Sequence, residues 1–199
     1  MTAAVVLASA SAIRRTLLEQ AGLTVTVRPA GVDEDAVKAA MRAEGETAEA
    51  TATALAQLKA ERVSARAPDD LVVGADQILV CDERWFDKPR DRAEAAEHLR
   101  HLRGRAHTLA TAVVVARGGR RLWHNVATPK LTMRGFSDAA LEAHLDAMGQ
   151  AVTTTVGGYM VEGPGITLFS RIEGDHFAVL GLPLLPLLGF LRQHGALPN

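Results

Sequence analysis

The ten residues LVVGADQILV, Leu71–Val80, read as a buried strand, because small and apolar side chains run through them almost unbroken. Asp76 interrupts that run. An ionised carboxylate inside a buried strand is expensive unless it is paired or binds a metal. Three readings stay open for it: a functional acid, a salt-bridged structural acid, or a strand that ends at Ala75 with Asp76 opening a turn. Gly74 beside it lets another group approach the backbone closely.

Working outward, Ala3–Ala8 (AAVVLA) is a second short buried strand. Ser9 or Ser11 then caps a helix that runs to about Ala21 and stops at Gly22. Leu23–Arg28 alternates as a strand, and Asp33–Ala43 and Ala48–Arg66 read as helices separated by Gly45 and Thr47. Beyond the Asp76 strand, a helix spans Asp91–Arg103. His107–Arg117 and Arg121–Val126 form a hairpin across Gly118-Gly119. Lys130–Arg134 adds a strand and Ser137 caps a helix to Met148. Tyr159–Glu162 and Ile166–Ile172 are short strand candidates among glycines, and Leu184–His194 is the final helix. Strands and helices alternate without a strict βαβ rhythm, which predicts an α/β domain with a mixed sheet.

At 199 residues, 48% apolar and 23% charged, the chain has the composition of one folded domain rather than a disordered or fibrous one. With a net charge of −1 and only 4% aromatic residues, no basic field or stacking platform points to nucleic acid. The lone Cys81 cannot form an internal bridge, so a reducing cytoplasmic setting is expected. Met1–Ala8 has no basic, apolar leader. The most apolar stretch, Gly181–Leu191, is only 11 residues long with two prolines, against the roughly 20 a bilayer requires. It is expected to be a core helix.

Several signatures are missing: the phosphate and dinucleotide loops GxxxxGK[ST] and GxGxxG, the metal motif HExxH, paired cysteines, and the GxSxG elbow. What the chain offers instead is charge at element ends. In LASASAIRR, Leu7–Arg15, a strand gives way to hydroxyl residues and then to Arg14 and Arg15 in the first turn of a helix. Cations there oppose the helix dipole by about a few tenths of a kcal/mol each. A docked anion reverses the sign, because backbone N–H groups, serine hydroxyls and an arginine fork form a phosphate cradle. The plainer reading is that Ser11 is a cap and the arginines are solvated. Lys59 falls on the face of its helix that carries Leu55, where it either snorkels to water or reaches a cleft. Lys88-Pro89 reads as a loop lysine before a helix. Asp33, Glu34 and Asp35 suit a helix start. Glu162 and Asp175 lie in glycine-rich segments, and the seven histidines show no ligand spacing. Taken together, arginines, lysines and carboxylates at element ends are the equipment of phosphoryl transfer to water.

Leu7–Leu18 (LASASAIRRTLL), Val73–Val80 (VGADQILV), Lys88-Pro89, Leu102–His107 (LRGRAH) and Gly181–Leu184 (GLPL) together resemble the Maf family. These are nucleoside triphosphate pyrophosphatases, also called septum formation inhibitor proteins. The resemblance spans nearly the whole chain. It implies a mixed twisted sheet in two lobes around a central cleft, akin to inosine triphosphate pyrophosphatase. The implied reaction is hydrolysis between the α and β phosphates, giving a nucleoside monophosphate and pyrophosphate. By the same resemblance Ser9, Arg14 and Arg15 bind phosphates, Lys59 and Lys88 neutralise the triphosphate, and Glu34 and Asp76 hold a divalent cation, Mg2+ or Mn2+, or activate water. Asp76 is the expected proton acceptor. A homodimer is also implied. Relatives acting on dTTP and UTP carry Thr after the strand Asp and Gln in the glycine-rich segment. Gln77 and Glu162 stand there in this chain and resemble the branch acting on 7-methyl-GTP. A carboxylate accepts from the guanine N1–H and N2 amino groups, which a pyrimidine cannot offer. The competing readings are a regulator of septum formation acting by partner binding, a dTTP/UTP enzyme, and a phosphatase releasing orthophosphate.

Overall fold

A computed structural model describes residues 4–198. The first half of the chain forms β1 (Val5–Leu7), α1 (Ala12–Gln20), β2 (Val25–Val27), α2 (Glu34–Ala43), α3 (Ala48–Ser64), β3 (Leu71–Cys81) and β4 (Arg84–Phe86). The second half forms α4 (Arg92–Leu102), β5 (Ala106–Arg117), β6 (Arg120–Ala127), β7 (Lys130–Met133), α5 (Asp138–Met148), β8 (Phe169–Glu173), α6 (His176–Val179) and α7 (Leu184–Gln193). Short 3-10 turns occupy Gly149–Thr153, Val156–Gly158 and Pro164–Leu168.

The eight strands form one mixed sheet with the path β2-β1-β3-β5-β7-β8, β4 pairing with β3 and β6 with β5. β1 runs parallel to β2 and β3, and every other pair is antiparallel. The long strands β3 and β5 pair from Val72–Ala116 to Val80–Thr108 and carry the molecule from end to end. Their outer edges are forked. Along β3, β1 pairs with Leu71–Val73 and β4 pairs with Leu79–Cys81. Along β5, β6 takes Thr111–Arg117 and β7 takes Ala106–Thr108. The fork separates two lobes. One core gathers β1, α1 and α7 (Leu7, Leu18, Leu71, Val73, Leu187, Leu191). The other gathers β7, α4 and α5 (Leu79, Leu99, Leu102, Leu131, Leu145). The cleft opens on the stretch of β3 that neither β1 nor β4 covers, and Asp76 lies in that stretch.

α3 binds the two halves across one face of the sheet. Its alanines 48, 52, 56 and 60 recur every four residues and pack on Ile78, Ala110, Ala112 and Val114. These small side chains let the helix settle onto the strand. A Cβ on Gly74 would stand 2.1 Å from the Ala56 carbonyl oxygen, so glycine is required there by close approach. That proximity sets the reach from Lys59 to Asp76.

Most expected elements form, with Ser11, Asp33, Thr47, Asp91 and Ser137 as side-chain N-caps. Ala3, the start of the first expected strand, lies outside the described residues. Two expectations are corrected. Tyr159–Glu162 is not a strand, because Gly157, Gly158, Gly163, Pro164 and Gly165 break it into turns, with left-handed φ of 74° at both Gly157 and Gly158. Ile166–Leu168 is 3-10, and the strand starts only at Phe169. β4 was not anticipated. Its hairpin turns on Asp82 and Glu83 at φ 49° and 64°, without the glycine that signals such a turn. Gly181–Leu191 supplies the apolar part of α7. Leu187 and Leu191 are fully buried, and Pro186 sits in the first turn, where its missing N–H costs nothing. Among the described residues no helix is long and apolar enough to cross a membrane.

Candidate active site

The cleft measures about 1340 Å³ and is lined from both lobes. Asp76, Lys59, Lys88, Ser9, Arg14, Gln77, Glu162 and Glu34 all line it. Arg15 is not brought there. α1 turns it to the outer face, where it pairs with Glu19 one turn on, at 2.7 Å. Of the two neighbouring arginines only Arg14 has the helical phase that faces the cleft.

At the centre, Lys59 Nζ lies 2.6 Å from Asp76 Oδ1 and 2.6 Å from Glu34 Oε1. Lys59 and Asp76 are both buried, so breaking this pair would strand a charge in the interior. Asp76 Oδ2 is buried and has no hydrogen-bond partner. Burial works to raise the Glu34 carboxyl. Lys59, through a hydrogen bond and its charge, outweighs that with help from Lys38 and Lys88, and holds Glu34 below the usual carboxylate range. An orphaned oxygen on Asp76, beside an ionised and partly exposed Glu34, is the hard-oxygen donor set that suits a small divalent cation. The residues present therefore fit a small divalent cation, which Glu34 would hold with Asp76 beside it either as a second ligand or as the group that activates water.

Arg14 is fixed at the mouth of α1. Its guanidinium donates to the Gly181 carbonyl at 2.7 Å, the Ala75 carbonyl at 2.8 Å and Ser9 Oγ at 3.1 Å. Burial pushes its pKa down, against the opposing pull of Asp76 and Glu34. Arg14 thus ties α1, β3 and the Gly181 loop into one wall, and shapes the Ser9 hydroxyl within it. Lys88, by contrast, is exposed and forms no ion pair among the described residues. It is free to meet an anion. Sequence reasoning missed Lys38, which follows Glu34 by one helical turn and pairs with Asp87 at 2.5 Å. The i,i+4 spacing from Glu34 was the available signal.

Next to Asp76 on β3, Gln77 uses its amide nitrogen on Thr111 Oγ1 at 2.8 Å and on the Ala178 carbonyl at 2.9 Å. Only its Oε1 remains to meet a ligand, and that atom accepts. Glu162 is exposed on the strap between the 3-10 turns. Two buried histidines pin that strap from beneath. His107 Nε2 meets the Tyr159 hydroxyl at 2.7 Å, and His144 Nε2 donates to the Gly158 carbonyl at 3.0 Å. Burial pushes His107 down to about 4 and the Tyr159 phenol up. Asp175, a loop acid in the sequence, caps α6 through the Phe177 N–H at 2.9 Å. Away from the cleft, Cys81, Asp82 and His101 bring three donor atoms within 4.8 Å of one another, but Arg105 already holds Asp82 Oδ2 at 3.4 Å.

The model of the family described as Maf-like protein matches residues 4–194. A nucleoside triphosphate pyrophosphatase of Granulibacter bethesdensis is 60% identical over 96% of this chain and 98% of its own length. One of Rhodospirillum rubrum is 53% identical over 97% and 96%. A 7-methyl-GTP pyrophosphatase of Rhizobium etli is 46% identical over 99% of both chains. With a cleft set at the fork of a mixed sheet, and with likeness running over nearly its full length, the chain belongs to the Maf family.

Proposed function

We propose that the cleft hydrolyses nucleoside triphosphates between the α and β phosphates, releasing a nucleoside monophosphate and pyrophosphate. The observation that carries this reading is Asp76, a buried acid lining the cleft, with one oxygen clamped by Lys59 and the other buried and unpartnered. Asp76 Oδ2 accepts a proton from water as the water oxygen bonds to the α phosphorus. The bond from that phosphorus to the bridging oxygen breaks, and the electron pair leaves with pyrophosphate. Lys59 holds the Asp76 carboxylate in place at 2.6 Å, and Lys88 offsets charge on the phosphate tail. Ser9 and the wall fixed by Arg14 position that tail. A bound Mg2+ or Mn2+ would rest on Glu34, leaving Asp76 Oδ2 to the water, and would neutralise phosphate charge.

The base is guanine-type, 7-methyl-GTP included. Gln77 Oε1 and the Glu162 carboxylate are both acceptors, and guanine presents donors at N1 and N2. The Rhizobium relative, a 7-methyl-GTP pyrophosphatase, supports that reading. The test is pyrophosphate release across a panel of triphosphates with divalent metal. Guanine nucleotides should turn over fastest, and Glu162→Gln should lower the guanine-to-pyrimidine ratio about tenfold, the worth of one good hydrogen bond to a charged group. Faster turnover of dTTP and UTP than of every guanine nucleotide would overturn the base assignment. Release of orthophosphate alone would overturn the reaction.

A further inference from the structure

α2 contributes no fully buried residue to the fold, yet the Lys38 side chain on it is only 16% exposed. Lys38 lines the cleft together with Asp87, Lys88 and Glu34. Its Nζ lies 2.5 Å from Asp87 Oδ1, and that carboxylate is 59% exposed. Burial works against its charge, but Asp87, and behind it Asp76 and Glu34, raise its pKa, so the ammonium is charged and within the field of the reacting centre.

The other cations of the cleft differ from Lys38 in how firmly they are held. Lys59 is locked between two acids, and Arg14 is spent on two carbonyls and Ser9. Lys88 has no partner to leave among the described residues; of the buried and half-buried cations, Lys38, held by one exposed carboxylate, is the most easily exchanged, because a pair with a solvated carboxylate is weak and lysine bonds as a point charge. A terminal phosphate brings roughly two negative charges and three acceptor oxygens, and outcompetes a single solvated carboxylate.

We propose that Lys38 is a movable ligand for the pyrophosphate end of the substrate, parked on Asp87 in the open cleft and passed to the β and γ phosphates when a triphosphate enters. Asp87 is then a positioning residue that holds the ammonium at the cleft wall. This proposal rests on the pyrophosphatase reading.

The two ends of the Lys38–Asp87 pair give the test its sign. Nucleoside monophosphate formation is followed in the full chain with Mg2+, and the inhibition constants of inorganic pyrophosphate and of the product monophosphate are measured. Lys38→Met should weaken pyrophosphate about tenfold or more while leaving the monophosphate within about twofold. Lys38→Arg should recover most of that loss. Asp87→Asn should tighten pyrophosphate severalfold, because Lys38 no longer has to leave a carboxylate. Unchanged pyrophosphate inhibition in Lys38→Met, or equal weakening of both products, would overturn the assignment. Weakening by Asp87→Asn in step with Lys38→Met would make the pair a plain structural tie, and would overturn it as well. If the wild-type chain released pyrophosphate from no triphosphate, the pyrophosphatase reading itself would fall. An active wild type with an indifferent Lys38→Met removes only the role of Lys38.

Discussion

The two ends of the cleft are built on different principles. At the end proposed to hold the phosphates, Asp76 sits in the middle of an eleven-residue strand and Lys59 on a seventeen-residue helix, both held by continuous backbone hydrogen bonding. At the end proposed to take the base, Glu162 rides on a strap of short 3-10 turns that side chains from the core, His107 and His144, hold in place. A site on regular elements is stiff without help, whereas a strap is only as ordered as its pins. Damage at the first end should therefore abolish turnover whatever the base. Damage at the second should change which base is taken, at a smaller cost.

The largest effect is expected at Lys59. Lys59→Met leaves Asp76 buried without its partner, at about 3–5 kcal/mol of stability. Asp76→Asn keeps the shape and removes the proton acceptor, and should cost at least roughly a hundredfold in rate. In either variant the ratio of guanine to pyrimidine turnover should stay at its wild-type value. A ratio that moved with Asp76→Asn would break the division between the two ends.

Acid should act on the base end. His107 folds with its pKa pushed from an ordinary 6.5 down to about 4. Between those values the unfolded chain binds the proton and the native one does not, so stability falls as pH is lowered through this window. That loss amounts to about 3 kcal/mol at full extent. Melting temperatures measured from pH 7 to pH 4 should show it, and His107→Gln should flatten the curve. A wild type and variant that lose stability in parallel would remove His107 as the cause.

Gly74→Ala probes the support under Asp76. The new methyl meets the Ala56 carbonyl, so α3 must move away from β3, at a cost of about 1–3 kcal/mol. Because that movement separates Lys59 from Asp76, turnover should fall for every base alike, as measured by pyrophosphate release.

The elements carrying Asp76 and Lys59 were legible in the sequence, whereas Glu162 was singled out without the strap that carries it. A carboxylate in LVVGADQILV and a lysine on an apolar helix face violate burial rules, and a single chain displays such violations openly. Their shared cavity followed from an apolar strand and an alanine-rich helix that each read clearly. Arg15 misled because adjacent helical residues lie about 100° apart, and sequence adjacency hid that only Arg14 faces inward. Around Glu162, alternating Tyr159, Val161 and their neighbours imitated a strand, and only tertiary pins to His107 and His144 made the segment a strap. The seven histidines show no metal spacing, and a role as hydrogen-bonding pins carries no local signal. Lys38 was missed because α2 looked like an ordinary charged surface helix.

The smallest expected effect is the sharpest on the comparison. Tyr159→Phe removes a hydroxyl from a ring that stays packed against Phe169, with centroids 4.9 Å apart. It leaves His107 Nε2 unpaired in a dry core where Nδ1 already lacks a partner, at a cost of about 1–2 kcal/mol. With one pin gone, the strap carrying Glu162 loosens. KM for guanine triphosphates should rise about threefold to tenfold, while kcat and turnover of pyrimidine triphosphates hold. Stability and positioning are then separated by a second change. In Tyr159→Phe/His107→Leu the hydroxyl and its imidazole partner are both gone, so stability should return toward wild type, because replacing both ends of a buried hydrogen bond by apolar groups is nearly neutral. Base selectivity should stay low, since the tether from His107 to the strap is still missing and only His144 holds it. Selectivity that recovered along with stability would mean that His107 and Tyr159 merely fill the core, and that the base end is as stiff as the phosphate end.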